Sequence, residues 1–198
     1  MAAILLAMAA VATAWSSYQA SRWTGEQAEA FSAANAARVE STRASDLANA
    51  QAEIDVATFS QWVDAHLHDD QEVADFYEQP FRDEFQPAFH AWLGTDPFDD
   101  PSAPPSPFAM PEYRLAASEH ARRLESTANA SAEQARQNVQ RATNYVLRVV
   151  LFAIALFFAG ISTKLPRTRL RAVILGVGCV VFIVTAIWIA TFPISLSI

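Results

Sequence analysis

Apolar residues are concentrated in two long runs near the carboxyl end of the chain. Residues 144–163 and 172–194 contain a single charged residue, Arg148. A helix rises about 1.5 Å per residue, so each run can cross a hydrocarbon core roughly 30 Å thick. Residues 164–171 connect the two runs and contain four basic residues. The pattern therefore predicts two transmembrane helices joined by a short basic loop.

A third apolar run begins the sequence. Residues 1–21 carry no charge, and small residues recur at Ala3, Ala7, Ala10 and Ala14, as in helices that pack closely within membranes. We predict a transmembrane helix here. The alternative is a secretory signal peptide cleaved after Ala14, but no basic residues precede the run and the helical pattern continues beyond it. A start codon further upstream would also account for the missing basic residues.

Charged and aromatic residues indicate how these helices are oriented. The basic loop has no counterpart at the other helix ends, so the positive-inside rule predicts that it is cytoplasmic and that residues 22–143 lie outside. The residues that set this orientation are Lys164, Arg167, Arg169 and Arg171. Tryptophan and tyrosine prefer the membrane interface. We expect five of them at the outer face, namely Trp15, Tyr18, Trp23, Tyr145 and Trp188.

Residues 22–143 have the pattern of two long helices around a head. From Ser21 to about His68 the chain has one glycine, no proline and many helix-forming residues. On the return, apolar or small residues recur at spacings of three and four, which is typical of a coiled-coil seam. The seam positions are Ala117, Ala121, Leu124, Ala128, Ala132, Ala135, Val139, Ala142, Val146, Val149 and Ala153.

This pattern predicts an antiparallel hairpin, packed closely because most seam positions are alanine. If both helices meet the membrane near Ser21 and Asn144, residues at equal height have numbers that sum to about 165. Pro111 and Glu112 suit the first turn of the return helix.

The head, at about residues 69–111, combines an aromatic stripe with a proline-rich segment. We predict one aromatic cluster, in which the end of the first long helix also takes part. Pro80 and Pro87 should divide the stripe into short helices, and Gly94 should end it. The six prolines of 96–111 predict an extended connector held by Phe98 and Phe108. The predicted cluster consists of Phe59, Trp62, Phe81, Phe85, Phe89 and Trp92.

Composition excludes some partners. Between Ala20 and Thr143 there are nine arginines and twenty-one acidic residues, which gives a formal charge of −12. Such a surface repels nucleic acid. The one cysteine, Cys179, lies in the last apolar run, so no disulfide can form within the chain.

Candidate chemistry is sparse. His66, His68 and Asp69 are the one metal-like group, but His66 and His68 point about 200 degrees apart on a helix and could share an ion only if the helix ended between them. We therefore expect a solvated helix end there, with a zinc enzyme as the minor alternative. Motifs for a nucleophile or a phosphate loop are missing, so we predict no catalytic residue and no cofactor. The apolar runs lack Asp, Glu, His and Lys, and we expect Arg148 to extend outward to the interface.

Three segments carry a resemblance: Thr13-Ala-Trp-Ser-Ser-Tyr-Gln-Ala-Ser-Arg-Trp23, Pro-Pro-Ser-Pro-Phe-Ala-Met-Pro-Glu-Tyr113 and Phe-Ala-Gly-Ile-Ser162. With them, nearly the whole chain resembles a group of small bacterial inner-membrane proteins of no assigned activity. The resemblance implies one N-terminal and two C-terminal transmembrane helices around a helical outer domain. It implies no site residues.

Together these patterns predict an all-α, multi-pass integral protein of the bacterial cytoplasmic membrane, with an extracytoplasmic helical hairpin. We expect a non-enzymatic scaffold or sensor that lies in the lipid bilayer and binds another envelope protein or further copies of itself. The alternative is a subunit of a homo-oligomeric channel or transporter whose last helix lines a pore.

Overall fold

The described part of the protein, residues 2–194 of a computed structural model, is all-helical and contains no strand. Two compact units divide the chain: one contains the residues up to Ala34 and those from Ala130 onward, and the other is Asn35–Asn129. The helices are α1 (Ala2–Leu67), α2 (Gln71–Glu78), α3 (Gln86–Leu93), α4 (Ala116–Ser162) and α5 (Thr168–Ala190), with a short 3₁₀ turn at Pro107–Ala109.

Three of these helices, α1, α4 and α5, are long and apolar enough to cross a membrane. Helices α1 and α4 both continue well beyond their apolar segments and contribute to both units. The connection between α4 and α5 is shorter than predicted, because α5 begins at Thr168. Arg169 and Arg171 therefore lie in its first turn, while Lys164 and Arg167 precede it.

Buried positions recur every seven residues along α1 and α4. On α1 they include Ala2, Ala9, Ser16, Trp23 and Ala30. On α4 they include Ala121, Ala128, Ala135 and Ala142. A repeat of seven keeps one stripe of a helix facing its partner, and alanine lets the two backbones approach closely.

Two contacts between the long helices show their register. In the Asn35–Asn129 unit, the Ser41 hydroxyl donates to the Ala121 carbonyl oxygen at 3.0 Å. In the other unit, the Arg141 guanidinium carbon lies 4.6 Å from the centre of the Trp23 ring. Both pairs fit the predicted sum of residue numbers closely, so the antiparallel register deduced from the sequence is confirmed in each unit.

The predicted seam is wrong over its last part. Val139 and Val146 are exposed, whereas Asn138, Tyr145 and Phe152 are buried. The predicted seam omitted these positions because it was built from small and aliphatic residues only. The buried stripe is therefore set by packing partners rather than by hydropathy alone.

Two further predictions about the head segment are wrong. Helix α4 begins at Ala116 and not at Pro111 and Glu112. The N–H group of its first residue, Ala116, is satisfied by a side chain outside the helix, because it donates to the Glu84 carboxylate at 3.2 Å. Residues 96–111 form successive turns instead of an extended connector, starting from Asp96 at a φ of 51°.

Candidate functional site

An aromatic core lies at the centre of the Asn35–Asn129 unit. The structure brings together all six aromatic residues that the sequence singled out, and each is at most 9% exposed. Most of the ring contacts are edge-to-face, the geometry that aromatic pairs favour; the Trp62 and Phe89 centroids, for example, lie 4.8 Å apart. We call this cluster the head core, and its dense packing fixes α2 and α3 against the end of α1.

The proline-rich segment closes over the head core. Phe108 stacks on Phe85 with centroids 5.3 Å apart, and the Trp92 indole N–H donates to the Pro104 carbonyl oxygen at 2.8 Å. Phe98 lies at the edge and remains 46% exposed. The two phenylalanines expected to anchor this segment therefore both contact the core.

Behind the head core lies an ion pair that sequence reasoning missed. The Arg82 guanidinium donates to both carboxylate oxygens of Asp55, at 2.9 and 2.8 Å, and to Glu84 at 2.9 Å. Tyr113 donates its hydroxyl to Asp55 at 3.1 Å. The Asp55 side chain is 1% exposed, so this bidentate pair is nearly dehydrated. It ties α1 to the chain on both sides of α3.

These contacts also shift two pKa values. The hydrogen bonds with Asp55 raise the pKa of Arg82, so its positive charge is secure. Burial, followed by the negative charge of Asp55, raises the pKa of Tyr113, so the phenol stays protonated and can donate. The group is therefore a fixed structural clamp at ordinary pH.

The surface around the head core is strongly acidic. Residues 53–100, which we call the acidic stretch, contain thirteen Asp and Glu but only one arginine, Arg82, and no lysine. The stretch therefore accounts for the entire −12 charge predicted for residues 20–143, since acidic and basic residues balance elsewhere in that range. All but three of these acidic side chains are exposed. Arg82, the only arginine of the stretch, forms ion pairs with Asp55 and Glu84.

A shallow, open depression of about 570 Å³ lies in this acidic surface. The His68 imidazole at its edge lies 2.7 Å from the Asp64 carbonyl oxygen. This hydrogen bond, together with the negative charge of Asp64, raises the pKa of His68 above its ordinary value. The depression is lined by Ser60, Gln61, Asp64, Ala65, His68, Asp70, Val73 and Tyr77.

The candidate metal ligands have separate surroundings. His66 lies between the rings of Trp62 and Phe98, with centroids 4.9 and 4.7 Å away. His68 contacts Asp64, and Asp69 has a left-handed backbone with a φ of 56°. Within residues 2–194, no three His, Cys, Asp or Glu side chains are grouped to hold a metal ion. His66 therefore acts as part of the aromatic stack.

A second polar site lies in the unit that contains the apolar segments. Arg148 is fully buried, which corrects the prediction that it extends outward. Its guanidinium carbon lies 4.0 Å from the Phe192 ring centre, 4.6 Å from that of Trp188 and 4.8 Å from that of Tyr145. Within the described residues, none of its three nitrogens has a hydrogen-bond partner. We call this arrangement the arginine cage.

The five expected interface aromatics occupy different environments. Tyr145 and Trp188 line the arginine cage, and Trp23 packs with Ala20, Ala142 and Tyr145 in a neighbouring cluster. Trp15 and Tyr18 are 41% and 54% exposed and contact each other. Four basic residues lie in the α4–α5 connection or in the first turn of α5, and all are exposed: Lys164, Arg167, Arg169 and Arg171.

Comparison with protein-family models, with curated proteins and with solved structures finds no match for this chain.

Proposed function

We propose that this protein is a non-enzymatic membrane scaffold or sensor that presents an acidic helical surface to a positively charged partner in the bacterial cell envelope. Three helices with membrane-spanning length and composition support the membrane location. The exposed basic residues of the α4–α5 connection and of the first turn of α5 favour a cytoplasmic position for that connection. The acidic stretch then lies outside, where another envelope protein can reach it.

The observation that carries the proposal is the concentration of negative charge on a rigid support. Ten exposed carboxylates belong to the acidic stretch, and the head core beneath them is almost completely buried. A charged surface on a fixed frame steers a complementary partner and sets its orientation at little ordering cost. Such a surface suits recognition better than catalysis, which needs convergent groups of different roles.

The test compares two triple variants of equal charge change. Glu72→Gln, Asp83→Asn and Asp99→Asn neutralise exposed side chains of the acidic stretch. Glu29→Gln, Glu112→Gln and Glu125→Gln do the same elsewhere on the two long helices and their connection. Each tagged full-length protein is crosslinked in living cells and purified in mild detergent, and bound protein is quantified.

A partner that docks on the acidic stretch should be recovered about tenfold less with the first variant, because several charge pairs are lost together. Recovery with the second variant should equal that of the unaltered chain. Equal recovery from all three, or a strictly monomeric protein without partners by native mass measurement, contradicts the proposal.

The channel alternative has a separate test. Its last helix would have to present polar groups to a pore, yet the exposed side chains of α5 include Val173, Val177, Val180, Ile183, Val184 and Ile187. Ion flux from the purified protein in liposomes distinguishes the two functions, since a scaffold gives none.

A further inference from the structure

The arginine cage contains a charge that the described chain does not neutralise. All three guanidinium nitrogens of Arg148 are buried without a hydrogen-bond partner. Buried polar groups in folded proteins are almost always paired, and an unpaired buried charge is strongly destabilising. The three rings offer cation–π attraction, but the N–H groups point outward in the guanidinium plane and still need acceptors.

The apolar runs around Arg148, residues 144–163 and 172–194, contain no acidic residue. The Tyr145 hydroxyl lies on a ring of the cage, but it donates to the Pro193 carbonyl oxygen at 3.0 Å and does not bond to Arg148. Arg141 offers a contrast about two helical turns away: it also lies over a tryptophan ring, but it donates to the Asn138 side chain at 3.2 Å. Arg148 is therefore the member of this pair that needs an anion.

An apolar groove opens beside the arginine cage. It has a volume of about 520 Å³ and lies between α1 and α5. Ile189 forms part of its wall and also packs against the cluster that contains Tyr145, while the adjacent Trp188 covers Arg148. The groove is lined by Ala7, Met8, Val11, Ala12, Trp15, Phe182 and Ile189.

We propose that these two features form a binding site for one anionic phospholipid. Its phosphate oxygens accept hydrogen bonds from Arg148, and one acyl chain occupies the groove. The phosphate of an anionic lipid neutralises the guanidinium. A zwitterionic headgroup would bring a second cation together with its phosphate. Phe192 is the ring closest to the guanidinium and lies half-buried beyond the last residue of α5. The proposal requires this ring to move aside when the headgroup enters.

The experiment measures lipid retention by the full-length protein. The protein is reconstituted with equal amounts of phosphatidylglycerol and phosphatidylcholine, extracted in mild detergent and weighed by native mass spectrometry. The unaltered chain should retain phosphatidylglycerol in preference to phosphatidylcholine. Arg148→Gln should reduce that retention about tenfold or more, the usual effect of losing a charge-assisted hydrogen bond. The matched control Arg141→Gln should leave it unchanged.

Two further measurements test the lipid site even if the Arg148→Gln protein does not fold. Phe192→Ala opens the cage without removing charge, so it should keep or increase phosphatidylglycerol retention. Inorganic phosphate alone should raise the thermal midpoint of the unaltered protein less than phosphatidylglycerol does, because it cannot fill the groove. Equal effects of the two anions, or equal retention of both lipids, would overturn the lipid site.

The outcome is independent of the scaffold proposal. The Glu72→Gln, Asp83→Asn and Asp99→Asn variant should bind phosphatidylglycerol normally while losing its protein partner. Failure of one proposal can therefore be recognised without the other.

Discussion

Asp55 illustrates how much of the head depends on single residues. It is nearly inaccessible to water, yet it accepts hydrogen bonds from Arg82 and Tyr113, which come from distant parts of the chain. In sequence it is one acidic residue among many on a helix of mixed composition. The aromatic residues of the head core were foreseeable because their spacing alone predicts a shared face.

Asp55→Asn should destabilise the Asn35–Asn129 unit by about 3 kcal/mol, because one neutral amide oxygen replaces a bidentate carboxylate opposite a largely dehydrated guanidinium. Glu84→Gln should cost less than about 1 kcal/mol, since Glu84 is partly exposed and the amide oxygen can still accept from Ala116. Thermal unfolding of the purified proteins, followed by tryptophan fluorescence, measures both. Equal shifts for the two variants would show that Asp55 has no special role.

Among the elements, α1 and α4 owe their pairing to alanine at intervals of seven residues. Ala128 is 1% exposed, whereas Ala130, two positions further on, is exposed. The sequence predicts this close packing because alanines at heptad spacing lie on one face of a helix. The displacement of the buried stripe toward Tyr145 and Phe152 could not be predicted, because it depends on which neighbours cover that side of α4.

Ala128→Leu should destabilise the helix pair by about 1–3 kcal/mol, since a larger side chain has no room between two close backbones. The matched change Ala130→Leu should alter stability by no more than about 0.5 kcal/mol, because its side chain projects into solvent. Thermal midpoints of both variants, with helix content followed by circular dichroism, provide the comparison. If Ala128→Leu left the thermal midpoint unchanged, the two helices would be packed less closely than their contacts indicate.

For the whole molecule, the proposed orientation in the membrane governs where every site can act. Charge asymmetry predicts the orientation, and the exposed basic residues in the α4–α5 connection and the first turn of α5 are consistent with it. The arginine cage, by contrast, brings residues of α4 and α5 together with the turn that follows α5, and the apolar pattern contained no sign of it.

Labelling of single cysteines tests the orientation. In a Cys179→Ala background, Ala109→Cys places a thiol in the exposed proline-rich segment, and Thr168→Cys places one at the start of α5. A small membrane-impermeant maleimide added to intact cells should modify position 109 and spare position 168. After lysis it should modify both. The reverse pattern in intact cells would place the acidic stretch in the cytoplasm and remove the basis for an envelope partner.

The amino-acid sequence by itself determined the all-α class, the three apolar segments, the antiparallel register and the aromatic head core. Each can be inferred from composition or from the spacing of residues along the chain, because the helical repeat places residues at such spacings on one face. Only the tertiary structure decided that Asp55 pairs with Arg82, that Arg148 is enclosed by rings, and where the buried stripe of α4 runs. Those contacts join residues far apart in the chain, and burial against a particular partner, rather than local pattern, selects them.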